Sequence, residues 1–206
     1  MNENPDCTLC ELSKTCNQYS ICLKGEGDSD AAKLVIFLDA PTIVEDRRKR
    51  SFVSQSADLV KWMVRRMSLS SEQVYLDYVL KCYPKANKAF GRKADRSAFI
   101  HACSVYRVAT LQSIRPTDIV VMGSVACETF LHASKVSQLE GTWWVPLEPQ
   151  VREAGVERVW VSFSPAYAIE KPAESPAIYR VIFEAARRIG LNPKTNPNIK
   201  PFDYGI

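Results

Sequence analysis

The chain has 206 residues, 46% of them hydrophobic and 24% charged, with a formal net charge of +4. That length supports one sizeable core, the composition excludes a disordered or fibrous chain, and no apolar run reaches the roughly 20 residues of a membrane helix. The polar start MNENPDCTLCELSK lacks an apolar signal core, so a cytosolic location is expected, and the seven cysteines are not read as a disulfide framework.

Residues 7–12, CTLCEL, open on a C-x2-C knuckle and read as a short helix or turn. Cys7, Cys10, Cys16 and Cys22 all lie near the start; a local zinc site built from them and scattered core thiols both stay open. Residues 24–30, KGEGDSD, form a polar loop by their glycines and aspartates. KLVIFL, residues 33–38, is a near-continuous apolar run of strand length, so it is expected to be buried on both faces. It breaks at Asp39-Ala40-Pro41-Thr42. The basic run Arg47-Arg48-Lys49-Arg50 and Ser51-Phe52-Val53-Ser54 follow as loop. Ser56 is read as the N-cap of a helix over 57–67, whose Leu59, Val60, Met63, Val64 and Met67 recur at helical spacing.

The second strand, 74–80, ends at Lys81-Cys82-Tyr83-Pro84. A basic loop with Lys85, Lys88, Arg92, Lys93 and Arg96 comes next, then one long amphipathic helix over 95–114 carrying Cys103. Arg115-Pro116-Thr117 stops it. DIVVM, 118–122, is the third strand, and Gly123-Ser124 turns into a helix over 125–132. Residues 140–157, with Trp143-Trp144, look irregular. The fourth strand carries Val159, Val161 and Phe163 and runs into a Ser164-Pro165-Ala166-Tyr167 turn. A last helix spans 175–190, with Gly190 closing it, and 192–206 form a tail. Strand and helix alternate, which predicts a three-layer α/β/α sandwich around a mostly parallel sheet of about four strands, as one domain over 1–191 plus the tail. Strand ends of such a sheet are where its chemistry sits.

The strand ends resemble those of the iron–sulfur uracil-DNA glycosylases. The residues that carry the resemblance are Cys7-x2-Cys10; Leu38-Asp39-Ala40-Pro41-Thr42-Ile43-Val44-Glu45-Asp46; Ser51-Phe52-Val53-Ser54; 74–84, VYLDYVLKCYP; Cys103 on the next helix; and Ser164-Pro165-Ala166-Tyr167-Ala168-Ile169. The resemblance implies a [4Fe–4S] cluster on Cys7, Cys10, Cys82 and Cys103, and four thiolates suit a cubane. It implies DNA as the partner, with a replication or repair protein as a further one, and a monomer. Phe52 stands where the family stacks a flipped base. Tyr78 replaces the Asn that reads the uracil edge, and Ser164 replaces the late His that stabilises charge on the leaving base. Asp39 is the one candidate catalytic acid. The implied base- and DNA-binding set is Phe52, Tyr78, Lys81, Ser164 and Pro165, with Ala168 and Ile169 as a wedge and Arg47, Arg48, Lys49 and Arg50 on phosphates. Stacking is kept while edge reading and attack are changed. A DNA-binding protein that excises uracil poorly is therefore expected, with an enzyme for another or modified base and a protein-interaction module anchored by Trp143 and Trp144 as alternatives.

Overall fold

The computed structural model describes residues 7–16, 25–84 and 93–205; Cys22, Lys85, Lys88 and Arg92 lie outside them. The elements run α1 (Leu12–Thr15), β1 (Leu34–Leu38), α2 (Ile43–Arg48), α3 (Gln55–Arg66), β2 (Val74–Tyr78), α4 (Lys93–Ala102), α5 (Ser104–Ile114), β3 (Asp118–Met122), α6 (Ser124–Leu131), β4 (Trp143–Trp144), α7 (Pro149–Glu153), β5 (Arg158–Ser162), α8 (Pro165–Glu170) and α9 (Ser175–Arg188). Among the described residues the sheet has five strands in the order β2-β1-β3-β5-β4. β1, β2, β3 and β5 are parallel, as the apolar runs require, and β4 is antiparallel to β5 at the edge. The chain leaves β1 toward β2 on one side and later returns to β3 on the other. That reversal leaves a crevice beyond the carboxyl ends of β1 and β3.

Alternation along the strands divides the core in two. Val35, Phe37, Val121 and Val161 pack under Leu111, Val125 and Phe130 of α5 and α6. Leu34, Ile36, Leu38, Met122 and Trp160 pack under Leu59, Val60 and Met63 of α3 and Ile178, Val181 and Ile182 of α9. Helices thus cover both faces, giving the expected sandwich. At the far end of the sheet, buried Asp118 accepts from Arg158 Nε (2.9 Å) and Nη2 (2.8 Å) and from Trp160 Nε1 (2.8 Å), which fixes the β3–β5 register.

Four local features differ from the sequence-based expectation. Trp143 and Trp144 form the edge strand, each 41% exposed, beside exposed Val145 and Leu147. The N-cap of α3 is Ser54, not Ser56: its hydroxyl accepts from Ala57 N, because a left-handed Phe52 (φ 55°) turns the chain into the helix earlier. The long helix over 95–114 is two, α4 and α5, broken at Cys103, whose thiol takes the backbone N–H of Lys81. The proline turn after β5 is a helix, α8, with Pro165 in its first turn.

The tail straps α3. Asn196 N donates to Arg66 O (2.7 Å) and Trp62 Nε1 to Lys200 O (2.7 Å), and Gln55 Nε2 reaches Tyr204 O (3.0 Å). Tyr204 Oη closes the strap on Ser175 Oγ at 2.7 Å. Among the described residues no helix is long and apolar enough to cross a membrane.

Candidate nucleobase site

The loops beyond β1 and β2 converge on one carboxylate. Glu45 is 0% exposed, yet it sits in the first turn of α2, where Thr42 and Glu45 form a capping box. Its Oε2 accepts from Thr42 N (2.8 Å) and from the Thr42 hydroxyl. Its Oε1 accepts from Ser54 N (3.0 Å) and from Tyr78 Oη (3.1 Å). Burial alone pushes the Glu45 carboxyl up, but the hydrogen bonds from Ser54 and Thr42 outweigh it and hold the group below the usual carboxylate range. One ionised side chain therefore ties together the loops after β1, before α3 and at the end of β2. Glu45 has no role among the residues the sequence singles out. The signal was present as T-x-x-E ahead of a short helix.

Tyr78 and Phe52 lie face to face. Their ring centroids are 4.4 Å apart and their planes 3° from parallel, and both residues are essentially unexposed, at 1% and 0%. The ring face that the resemblance assigns to a flipped base is thus covered by the chain's own phenol. Burial, and next the charge of Glu45, raise the Tyr78 pKa, so it remains a hydroxyl that donates. Phe52 adopts a left-handed backbone (φ 55°), which costs of order 1–3 kcal/mol for a non-glycine residue. Lys61 Nζ holds that conformation by donating to Phe52 O at 2.7 Å, and the Glu26 carboxylate at 3.2 Å holds Lys61.

Asp39 follows β1 and lies at the crevice. Its Oδ1 accepts from Ala126 N at 2.7 Å, and Val125 N and Ser124 N also point at the carboxyl. It therefore caps α6, whose own N-cap residue, Gly123, has no side chain to do so. A Cβ on Gly123 would lie 2.3 Å from Asp39 Oδ2, so only glycine permits the approach. Burial pushes the Asp39 carboxyl up to about 7, against the lowering pull of the helix N–H groups and Arg96.

The other expected site residues fall in different settings. Arg47, Arg48, Lys49 and Arg50 are all exposed, at and just beyond the end of α2. Lys81 is instead buried and ion-paired with Asp77, whose Oδ2 also accepts from Thr110 Oγ1 (2.9 Å). Its ammonium faces the core and the Cys103 thiol, not the DNA side. Ser164 is the N-cap of α8, accepting from Tyr167 N at 3.2 Å, with Pro165 buried behind it. Ala168, expected in a wedge, is 0% exposed and packs in the same cluster as Phe52 and Tyr78, with Ile169 partly buried against it. A fully buried methyl cannot enter a duplex. The rings of Phe163, just before α8, and Tyr167, on it, lie 5.1 Å apart and tilted by 37°, and Lys171 Nζ lies 4.9 Å over the Tyr167 ring.

The thiols gather on the opposite face of the sheet. Cys7, Cys82 and Cys103 are buried, and Cys10 and Cys16 are half-buried against the same core. Burial pushes Cys103 up to about 11, with Cys10 and Cys7 close enough to add to the rise. Burial raises Cys10 too, with Cys7 and Cys16 contributing, and a hydrogen bond with the Cys82 thiol lowers Cys16. The donor chemistry suits an iron–sulfur cluster. Among the described residues no three of His, Cys, Asp or Glu are arranged to hold a single metal ion, whereas a cubane takes one thiolate on each of four separate irons. Cys127 lies apart on α6, pushed up to about 12 by burial and Asp39.

Fold and loops define an open α/β protein with a topological switch point between β1 and β3, beside which the loops after β1 and β2 close over a buried aromatic pair. Residues 24–187 match the model of the uracil DNA glycosylase superfamily. Among similar proteins, the type-4 uracil-DNA glycosylase of Archaeoglobus fulgidus is 31% identical over 208 residues, covering 99% of this chain and 96% of that protein. That of Thermotoga maritima is 28% identical over 86% of this chain and 84% of its own length. That of Pyrobaculum aerophilum is 24% identical, over 80% and 85%. The chain belongs to the uracil DNA glycosylase superfamily.

Proposed function

We propose that this chain binds DNA with the superfamily's base cradle and releases uracil poorly or not at all, acting in replication, repair or protection of DNA. The observation that carries this reading is the Phe52–Tyr78 stack, which covers the face a flipped uracil would need. The late position offers a serine hydroxyl engaged as a helix cap, a weaker stabiliser of a departing base than a histidine. The exposed Arg47–Arg50 run supplies phosphate contacts. Cys7, Cys10, Cys82 and Cys103 are the residues we assign to a [4Fe–4S] cluster, which would fasten the N-terminal segment to the ends of β2 and α4.

The test has three parts on one preparation. Fluorescence anisotropy reads duplex binding, an absorption spectrum with an iron count reads the cluster, and single-turnover assays read excision from uracil, hypoxanthine, xanthine and hydroxymethyluracil oligonucleotides. Binding without excision supports the proposal. One observation favours an enzyme for another base: a carboxyl poised near neutral pH, as Asp39 is, suits a general base. Excision of any panel base that Asp39→Ala abolishes would establish that alternative.

A further inference from the structure

We infer that Tyr78 is a built-in occupant of the nucleobase slot, and that the emptied slot takes a single-ring base presenting an amino donor to Glu45. This deepens the DNA-binding reading and rests on it, since only that reading makes the face of Phe52 a base site.

The geometry is that of a bound ligand. A six-membered aromatic ring lies 4.4 Å from Phe52 and 3° from parallel, within the stacking range of an aromatic pair. Its one polar atom donates to Glu45 Oε1 at 3.1 Å. The reading group is fixed on every side. Thr42 N and Ser54 N saturate the rest of the carboxylate, and the Phe52 backbone is pinned by Lys61. Little in the slot has to rearrange when one ring replaces another.

The carboxylate decides which ring. An ionised carboxylate only accepts, so the incoming edge must donate where the phenol hydroxyl now does. The 4-amino group of cytosine does this, as carboxylates do when they read that group in DNA. Uracil has a carbonyl oxygen there, which can take only the neutral Phe52 backbone N–H while it faces the charged carboxylate, and its ring N–H is flanked by two carbonyls that the carboxylate repels. A purine carries a second ring for which the described stack leaves no counterpart. The slot thus selects amino-pyrimidines and rejects the base that the relatives' names specify.

Tyr78→Gly empties the slot, and calorimetric titration with four small probes reads it: phenol, toluene, 1-methylcytosine and 1-methyluracil. The variant should bind phenol and 1-methylcytosine about tenfold or more tighter than toluene and 1-methyluracil, the span of a hydrogen bond to a charged partner. Adding Glu45→Gln should erase that preference, and the unmodified protein should bind none of the four. Should Tyr78→Gly not fold, Tyr78→Ala gives the same comparison, since it too removes the ring and adds no polar group beside Glu45. The inference fails if the unmodified protein takes phenol as readily as the variant, if the emptied slot ignores the donor, or if it binds none of the probes. Duplex anisotropy on the same samples reports on the DNA reading separately, because the basic run lies outside the slot.

Discussion

Replacing Glu45 with alanine is the sharpest test of how the site is held. The change removes the acceptor of Thr42 N, the Thr42 hydroxyl, Ser54 N and Tyr78 Oη. The Thr42 hydroxyl can turn to water. Ser54 N and Tyr78 Oη are buried, and each stranded buried donor costs roughly 1–3 kcal/mol. Loss of the capping box adds about 1 kcal/mol. A total of about 3–7 kcal/mol is a large share of the 5–15 kcal/mol typical of a domain. Urea denaturation followed by circular dichroism measures it. The pH dependence supplies the sign: a carboxyl whose folded pKa is lowered contributes above its unfolded value of about 4.3 and loses that contribution as pH falls through the folded one. The gap between the parent and Glu45→Ala should therefore be widest near neutral pH and shrink in acid. A cost below about 1 kcal/mol, or a gap that widens in acid, would refute the idea that one ionised carboxylate ties the three loops.

Asp39 has the opposite sign, since its carboxyl is raised to about 7; its protonated form suits the fold, so the parent should lose stability relative to Asp39→Asn as pH climbs from 4 toward 7, with a level difference above about 8, measured by urea titration across pH. Lys81→Met strands the buried Asp77 carboxylate and should cost about 3–5 kcal/mol in chemical denaturation, while Asp77→Leu combined with Lys81→Met should recover most of it. Arg47→Ala with Arg48→Ala should weaken duplex binding and lower the slope of log K against log salt by about 0.9 per arginine, read by anisotropy at several salt concentrations, with no change in slope if the run does not touch phosphate.

The parallel sheet was legible because strands buried on both faces read as mainly apolar runs, unbroken in β1 (LVIFL) and interrupted only by Asp77 in β2, Asp118 in β3, and Arg158 and Ser162 in β5. The order of the strands in the sheet, and with it the switch point between β1 and β3, is seen only in the folded chain. β4 was not legible, since two tryptophans in an irregular stretch carry no period and pair only because β5 offers an open edge. The break at Cys103 was hidden for a related reason: helical spacing continues through it, and a thiol turned toward the β2 loop interrupts the helix. In the site, the residue types were readable but their partners were not. Tyr78 read as a bulky replacement, and nothing local says that its ring meets Phe52, 26 positions earlier in the chain. Lys81 read as a basic residue at a strand end, yet the buried Asp77 four positions earlier draws it into the core. Ala168-Ile169 read as a small apolar wedge, and the helix started by Ser164 and Pro165 turns Ala168 inward.

The most direct measurement is single-turnover uracil release, with protein in excess over a uracil-containing oligonucleotide that anisotropy shows to be bound. Saturated binding with no free uracil released is the result a filled slot requires. Prompt release by the unmodified protein would mean that Tyr78 does not block the face of Phe52, and the account would be wrong at its centre.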